Sequence, residues 1–452
     1  MKIDYLSRLG QYFKLKDDDS SVIVLTRGAI GSFSVHIVST ALAVGVQIFL
    51  TKVMGVEFYG DYSYVITWIN FLALISMMGF DSTILRYVAA YSAVGKWSAL
   101  HGILCRSRSF VSALSFVISG LMALIIYFLL DRLGSNLVQS FYIGCALLPI
   151  LSILGIRQAV LRGLRHVVKA QTINGICRPI VFAAIVAIYY LVFRQRITGH
   201  VVLLFNLLGA TTTLVVIEIC LRHDLPSQVR TTERIFYNHE WVCVALPLLF
   251  VSGMNLLQKQ SDIMIIGAIL GTWEVGIYTV VSRVATLAGF GLGAINAILA
   301  PMIAQKYARG QREDLQRLVT FASRCAFSFA LFVVTTLFLF GDLALGVFGT
   351  DFIEGYSALR ILLVAQLVNA FTGPVGFLMI MTTYQKEAAW IVAVCAVLNI
   401  VLNLLLIPLY GINGAAFATA FTFTIWNMVL YFFVRKRLCI HSAIFSESRV
   451  SI

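Results

Sequence analysis

The sequence predicts an all-α integral membrane protein, with twelve transmembrane helices in two pseudo-symmetric six-helix bundles around a central cavity. Its composition, its apolar stretches and an internal repeat are the observations behind this prediction. Of the 452 residues, 60% are hydrophobic and only 12% are charged, and the mean hydropathy is +0.90. Soluble domains carry about 25% charged residues. A soluble fold would therefore leave far too much apolar surface in water.

Apolar stretches of membrane-spanning length recur along the whole chain. A helix needs roughly 20 mostly apolar residues to cross a bilayer. Twelve stretches meet this length, at about 28–52, 62–84, 109–130, 139–160, 171–193, 199–221, 241–269, 276–304, 323–344, 357–382, 387–408 and 412–434. They divide the chain into an N-terminal segment 1–27, a first bundle 28–221, a linker 222–240, a second bundle 241–434 and a tail 435–452.

The basic residues predict the orientation. Both ends and alternate loops hold 26 of the 34 Lys and Arg residues, whereas the intervening loops hold four. Cytoplasmic loops of membrane proteins carry this excess, so we expect both termini and the 222–240 linker to be cytoplasmic. The formal charge of +13 then reflects topology, and we expect no nucleic-acid partner.

An internal repeat relates the two halves of the chain. The ends of the first and seventh stretches share the pattern G-x4-G-x-Y. Its residues are Gly55, Gly60 and Tyr62 in the first half and Gly271, Gly276 and Tyr278 in the second, at an offset of 216 residues. The same offset places His36 on Ser252 and Thr67 on Arg283. Because six helices separate the copies, the repeats have the same orientation in the membrane, as in transporters built from parallel repeats.

Polar residues inside the predicted spans fall at helical spacing, which places each set on one face of its helix. The candidates for a substrate cavity are His36, Thr67, Asn70, Arg178, Ser252, Asn255, Lys259 and Arg283. Polar stripes avoid lipid and face protein or water. We therefore expect these faces to line one cavity between the bundles.

The charged members of this set leave two interpretations open. Lys259 and Asp262 lie one helical turn apart and would make a structural ion pair. Alternatively, Arg178, Lys259 and Arg283 create a positive cavity for an anionic head group, and Asp262 tunes its field or carries an ion.

The coupling of transport to an ion gradient is also open. Asp262 and His36 are the candidates for coupling to a proton or sodium gradient. For His36, a hydrogen-bonded residue of the cavity is the competing interpretation. No other cofactor is expected.

Motifs of known enzyme chemistry are absent from the sequence. There is no P-loop and no H-E-x-x-H, and the eight cysteines are scattered singly without metal-ligand spacing. The predicted loops opposite the termini are short and leave no room for a catalytic domain. We therefore expect a membrane transporter and not an enzyme.

Two groups of motifs resemble one known family. In the first half they are Gly55-x-Glu57-x-Tyr59-Gly60-x-Tyr62, Met78-Gly79-Phe80 and Arg86-Tyr87-Val88-Ala89. In the second half they are Leu246-Pro247, Asp262, Gly271 to Tyr278, Arg283, Pro301 and the run from Ile407 to Ala416. In this order and spacing they resemble the polysaccharide and O-antigen repeat-unit flippases of the multidrug/oligosaccharidyl-lipid/polysaccharide exporter superfamily, over about residues 24–437.

The resemblance implies a shape, a function and a location. It implies that the two bundles form a V that opens to one side of the membrane at a time. It implies transport of undecaprenyl-pyrophosphate-linked oligosaccharide, for O-antigen, capsule or exopolysaccharide, from the cytoplasmic to the periplasmic leaflet by alternating access. It also implies a multi-pass protein of the bacterial inner membrane, in contact with lipid and working beside a polysaccharide polymerase and a chain-length regulator. The pyrophosphate is an anion that Arg178, Lys259 and Arg283 would neutralise.

Glycine and proline residues complete the candidate set. We expect Gly55, Gly60, Gly271 and Gly276 to permit tight turns between paired helices, and Gly373-Pro374 to break the tenth helix as a hinge. Packing alone is the competing interpretation.

Two other function classes remain as alternatives. One is an ion-coupled exporter of small molecules from the same superfamily. The other is a membrane enzyme or ligase that acts on lipid-linked sugar.

Overall fold

The computed structural model describes the backbone of residues 19–130 and 134–443. It describes the side chains of the same residues except 19–30, 297, 298, 300 and 301. Within these ranges the chain is helical, and no strand occurs. The helices of the first half are α1 (Asp19–Met77), α2 (Phe80–Ala93), α3 (Trp97–Phe128), α4 (Ser135–Gly163), α5 (Val167–Thr172), α6 (Arg178–Phe193), α7 (Gly199–Asp224) and α8 (Ser227–Thr231). Those of the second half are α9 (Asn238–Ile269), α10 (Thr272–Ala308), α11 (Arg312–Gly346), α12 (Tyr356–Thr372), α13 (Val375–Met381) and α14 (Gln385–Leu438). A π-helical turn, Ile173–Cys177, joins α5 to α6, and a 3-10 turn, Thr350–Gly355, precedes α12.

Helix α14 is two helices that meet at Gly411, whose backbone leaves the helical region at φ 58° and ψ −139°. The Asn399 amide donates to the Thr422 hydroxyl at 3.1 Å, although the two residues are 23 positions apart. In a straight helix they would be about 35 Å apart. The chain therefore turns back on itself at Gly411.

Helix α1 is divided in the same way at Gly55 (φ 78°, ψ 176°). We call the residues of α1 before Gly55 its first arm and those after it its second arm. Gln47 on the first arm and Tyr59 on the second lie within hydrogen-bonding reach, which a straight helix would prevent.

The described residues contain ten helical stretches that are long and apolar enough to cross a membrane. Two of them include the breaks at Gly55 and Gly411. Ten stretches with two divisions give twelve crossings, which agrees with the number predicted from the sequence. The all-helical membrane fold is thus confirmed.

The helices pack mainly within two groups. Before residue 225, α4 packs against α1, α3 and α7, and after residue 237, α14 packs against α9 and α12. The groups meet where α1 contacts α9 and α10, and where α2 contacts α9. Much of the buried apolar core follows these same contacts.

The internal repeat is visible in the backbone. Gly271, the counterpart of Gly55, also has a positive φ (115°) with an extended ψ (−177°). Gly60 and Gly276 instead lie inside helices. A β-carbon on Gly276 would sit 2.5 Å from the Val56 carbonyl oxygen. The expectation that all four glycines serve turns is therefore wrong for Gly60 and Gly276, which permit close helix packing.

Gly373 and Pro374 separate α12 from α13, as the sequence predicts. Gly373 has φ 75°, and a β-carbon there would lie 2.8 Å from the carbonyl oxygen of Ser442 near the end of the described chain. The break is therefore packed against another segment.

The loops 94–96, 164–166, 225–237, 309–311 and 382–384 lie on one side of the membrane, which we call the basic side. The 225–237 segment is attached to α3 there, because the Ile235 amide donates to the Ser98 carbonyl at 3.2 Å. The predicted N-terminal segment 1–27 and the tail 435–452 extend beyond the described residues, and 1–18 and 444–452 lie outside them.

Candidate functional site

Arg178 is the first residue of α6, directly after the π-helical turn. Its Nη2 donates to Oδ1 of Asn206 on α7 at 3.0 Å. The amide of Asn206 in turn donates to the Tyr62 hydroxyl on the second arm of α1, also at 3.0 Å. Three helices of the first half therefore hold this guanidinium through neutral partners.

Arg283 approaches the same region from the second half. It lies on α10, and its Nε donates to Oε1 of Gln47 on the first arm of α1 at 3.2 Å. Gln47 lies within hydrogen-bonding reach of Tyr59, and the Tyr59 ring lies 6.3 Å from the Tyr62 ring. Two arginines from different halves of the repeat are thus linked by a chain of side chains that passes through Tyr62.

Neither arginine has a carboxylate partner among the described residues. The ion pairs found there involve Arg157, His166, Lys169, His223 and Lys306, and not Arg178, Lys259 or Arg283. An unpaired cation within a membrane costs at least a few kcal/mol unless water or an anion reaches it. Arg178 is half-buried and Arg283 exposed, so both remain available to an anionic ligand between the halves.

Lys259 and Asp262 do not form the ion pair that their spacing suggested. Lys259 is exposed, whereas the side chain of Asp262 is buried, with the residue only 5% exposed. The Asp262 carboxylate accepts from the Ile263 amide at 2.9 Å and from the Thr419 hydroxyl at 3.5 Å. Three positions correspond to 300° around a helix, so the two side chains lie about 60° apart and point to different surroundings.

Asp262 belongs to a polar cluster inside the second half, which we call the oxygen cluster. Asn399 lies at its centre: its amide donates to the Thr422 hydroxyl at 3.1 Å, and its carbonyl oxygen accepts from Ser261 at 2.9 Å and from Asn403 at 3.0 Å. Oδ1 of Asn403 is buried without a hydrogen-bond partner. The oxygen cluster comprises Ser261, Asp262, Tyr278, Asn399, Asn403, Thr419 and Thr422.

The remaining polar candidates are more dispersed than the sequence suggested. His36 is exposed and stacks on Phe290 of α10, with ring centroids 5.9 Å apart. Thr67 is buried and donates to the Ser63 carbonyl at 2.7 Å, and Asn255 donates to the Val251 carbonyl at 2.8 Å. These two side chains are bonded to their own helices.

Asn70 is exposed and Ser252 half-buried. Neither is joined by a described contact to Arg178 or Arg283. The structure thus links Arg178 and Arg283 through the side chains around Tyr62, and it places Thr67 and Asp262 in packed interiors.

Several residues of the site were not predicted from the sequence. Tyr62 was recognised as part of the G-x4-G-x-Y repeat and Tyr59 as part of the family motif, but neither was assigned to the site. Gln47 and Asn206 carried no signal of their own, because a single amide inside a span is as common in helix packing as in binding. Asn399 and Asn403 were missed too, although their i, i+4 spacing on one helix face was a usable signal.

Comparisons with known proteins agree with this architecture. A family profile described as "Polysaccharide biosynthesis protein" matches residues 25–306, and one described as MatE matches residues 247–405.

Two curated archaeal relatives match part of the chain. An uncharacterized membrane protein of Methanocaldococcus jannaschii is 28% identical over 42% of this chain and 45% of its own length. A probable low-salt glycan biosynthesis flippase of Haloferax volcanii is 26% identical over 38% of this chain and 36% of its own length. The matched regions thus span less than half of each relative.

Solved structures match nearly the whole chain. The inward-facing conformation of a multidrug resistance MATE family transporter aligns with a TM-score of 0.72 at 16% identity, covering 91% of this chain and 98% of that one. Its outward-facing conformation aligns at 0.61 and 15% identity, over 92% and 95% of the two chains. A transporter of the same superfamily from Pyrococcus furiosus aligns at 0.62 and 14% identity, over 92% and 95%.

With more than half of its length matched by the family profile, this chain belongs to the polysaccharide biosynthesis protein family and has the multi-pass membrane fold of the multidrug/oligosaccharidyl-lipid/polysaccharide exporter transporters.

Proposed function

We propose that this protein is a flippase for undecaprenyl-pyrophosphate-linked oligosaccharide. It moves the repeat unit of an O-antigen, capsule or exopolysaccharide from the cytoplasmic to the periplasmic leaflet of a bacterial inner membrane by alternating access. The basic side is the cytoplasmic side, and the product is passed to a polysaccharide polymerase that works with a chain-length regulator.

The observation that carries the proposal is that Arg178 and Arg283, one from each half, are linked through Tyr62 by neutral side chains and have no carboxylate partner among the described residues. Two guanidinium groups match the geometry of a pyrophosphate, because each can donate two parallel hydrogen bonds to phosphate oxygens. Since one arginine comes from each half, the anion would connect the halves while it is bound. Lys259, exposed on α9, adds positive charge to the second half.

The direct test is flipping by the purified full-length protein in liposomes, with a fluorescent undecaprenyl-pyrophosphate oligosaccharide as cargo. Arg283→Gln and Arg178→Gln each remove a charge-assisted hydrogen bond worth about 1.5–3 kcal/mol. The affinity for the cargo should therefore fall roughly 10- to 100-fold, and flipping with it.

Arg360→Gln is the matched control. This arginine also lies in an apolar helix, but its guanidinium stacks on the Tyr356 and Phe338 rings at 4.3 and 4.9 Å. It should flip cargo like the wild type. Normal flipping by both Arg178→Gln and Arg283→Gln would overturn the proposed head-group site.

Asp262 is the proposed coupling residue, in preference to His36. Its carboxylate accepts from the Thr419 hydroxyl and belongs to the oxygen cluster, and hydroxyl, amide and carboxylate oxygens suit a proton or a hard cation such as sodium. His36 stacks on an apolar ring and is exposed. Movement of an ion into the oxygen cluster would change how α9 packs against α14.

A second candidate function is the ion-coupled export of small molecules, which is favoured by the MatE match over residues 247–405. The same liposomes distinguish the two functions. Uptake of an organic cation without movement of the lipid-linked oligosaccharide would support export of small molecules and contradict the flippase. A membrane enzyme or ligase is the third candidate, and chemical conversion of the lipid-linked sugar by the purified protein would support it.

A further inference from the structure

A polar pocket of about 220 Å³ lies in the first half, toward the basic side. Its lining combines the first arm of α1, the end of α4 and the α5–π-turn segment. The lining residues are Val35, His36, Ser39, Gln158, Arg162, Ala170, Gln171, Asn174 and Gly175. We call it the α4–α5 pocket. Because His36 also stacks on Phe290 of α10, the pocket borders the second half of the molecule.

Close packing of the backbone shapes this pocket. A β-carbon on Gly175 would lie 2.9 Å from Cβ of Ser39, so glycine lets the π-helical turn approach α1. Ser32 on the first arm donates to Oε1 of Gln171, which fixes the same segment one turn earlier. These contacts therefore fix the relative positions of the segments that line the pocket.

Two of its polar atoms are buried without a hydrogen-bond partner. They are Nε of Arg162, in the last turn of α4, and Oδ1 of Asn174. Leaving a buried donor or acceptor unpaired is costly, and more so for a charged group. A polar ligand that both accepts and donates would satisfy both atoms, as would water.

The charge of the pocket is positive. None of its nine lining residues, all of them in the described part of the chain, is acidic. Arg162 therefore has no counter-ion in the lining, and a ligand with one negative charge would supply it. The amides of Gln158, Gln171 and Asn174 both donate and accept, which suits the hydroxyl groups of a sugar.

The size of the pocket suits a small ligand. A volume of about 220 Å³ gives room for one pyranose ring with its substituents. Asn174 lies within the π-helical turn, and Arg178 directly follows that turn, so the pocket adjoins the proposed pyrophosphate site.

We propose that the α4–α5 pocket binds a single acidic sugar, of the hexuronate type, in the head group of the cargo. The carboxylate pairs with Arg162, and the ring hydroxyls pair with the amides and Ser39. This assignment rests on the proposed function, since it places one sugar of the oligosaccharide beside the pyrophosphate. It narrows the substrate class to lipid-linked oligosaccharides that contain an acidic sugar.

The test measures binding of three small probes to the purified full-length protein by saturation-transfer NMR, which detects millimolar ligands. The probes are glucuronate, glucose and inorganic phosphate. Glucuronate should bind at least tenfold more tightly than either of the others, because only it offers both a carboxylate and ring hydroxyls.

Variants of Arg162, with a control and a fallback variant, locate that binding. Arg162→Gln should weaken glucuronate binding at least tenfold, and Arg162→Lys should restore part of it because the charge returns. Arg312→Gln is the matched control, since Arg312 is exposed on the same side and does not line the pocket. If Arg162→Gln does not fold, Asn174→Asp places a negative charge in the pocket and should abolish glucuronate binding in a folded protein.

Undecaprenyl pyrophosphate without sugar distinguishes this proposal from the proposed function. Its binding should fall in Arg283→Gln and remain unchanged in Arg162→Gln. Unchanged glucuronate binding in Arg162→Gln, equal binding of glucose and glucuronate, or equal binding of phosphate and glucuronate would each overturn the sugar site. If both variants bind undecaprenyl pyrophosphate as tightly as the wild type, the proposed function is overturned instead.

Discussion

Gly60 and Gly276 lie against each other where the two halves of the repeat meet, on the side of the membrane opposite the basic side. A β-carbon on Gly60 would overlap the Thr272 carbonyl oxygen, and one on Gly276 would lie 2.5 Å from the Val56 carbonyl oxygen. Thr272 and Val56 are themselves related by the 216-residue offset. The contact is therefore reciprocal, because the glycine of each copy of the motif packs against the backbone of the other copy.

Gly60→Ala and Gly276→Ala should each destabilise the protein. A methyl group at either position collides with backbone, which cannot rotate away, and overpacking of this kind costs about 1–3 kcal/mol. We expect a lower midpoint of thermal unfolding and slower flipping. Gly120→Ala is the control, because nothing lies within 4 Å of a β-carbon there. Equal unfolding midpoints for Gly60→Ala and Gly120→Ala would show that the halves do not meet this closely.

Tyr62→Phe should weaken cargo binding less than the loss of either arginine. The hydroxyl accepts the hydrogen bond from Asn206 that positions Arg178, and a neutral hydrogen bond contributes about 1 kcal/mol. We expect roughly a fivefold loss of affinity for undecaprenyl pyrophosphate. Tyr142→Phe, at an exposed tyrosine of α4, provides the matched control. A loss as large in Tyr142→Phe as in Tyr62→Phe would contradict the assigned position.

Asp262→Asn should uncouple flipping from the ion gradient. The substitution keeps the shape of the side chain but removes the charge that would hold a proton or sodium ion in the oxygen cluster. Flipping in liposomes with an imposed proton or sodium gradient should then proceed at the rate seen without one. Asp342→Asn changes an exposed carboxylate and should leave the response to the gradient intact. A normal gradient response in Asp262→Asn would exclude this residue as the coupling group.

Tyr87 and Glu240 hold the halves together at the basic side. The Tyr87 hydroxyl donates to the Glu240 carboxylate at 2.8 Å, joining α2 to α9, and Trp241 donates to the Tyr91 hydroxyl beside it at 3.2 Å. A double-mutant cycle of Tyr87→Phe and Glu240→Gln should give a coupling energy of about 1 kcal/mol in thermal unfolding. Additive effects of the two substitutions would mean that the pair contributes nothing to stability.

Much of the fold was predictable because the membrane constrains it strongly. Length and hydropathy locate helices that must satisfy their own backbone hydrogen bonds, and the 216-residue offset correctly related Gly55 to Gly271. The breaks at Gly55, Gly271 and Gly373 were predicted as well, since positive φ values favour glycine. For Gly60 the sequence left both a turn and packing alone open, because it does not reveal which backbone faces a glycine, and the structure shows close packing.

The candidate site was only partly predictable. Arg178 and Arg283 stood out because cations are rare in membrane spans. The link between them through Tyr62 depends on tertiary packing between α1, α6 and α10. The periodicity within one helix carries no information about that packing. The pairing of Lys259 with Asp262 was wrong for a related reason. Sequence spacing brings two residues to one side of a helix, but the neighbouring helices decide which one is buried.

The π-helical turn at Ile173–Cys177 has a consequence for the evolution of this segment. Each residue advances an α-helix by about 100°, so the wider turn changes the phase of everything that follows. It lets Asn174 face the α4–α5 pocket while Arg178, four residues later, reaches Asn206. Loss of one residue here would rotate the whole of α6 and move its arginine away from the boundary between the halves. Insertions and deletions in this short stretch would therefore alter cargo recognition without changing any residue that touches the cargo.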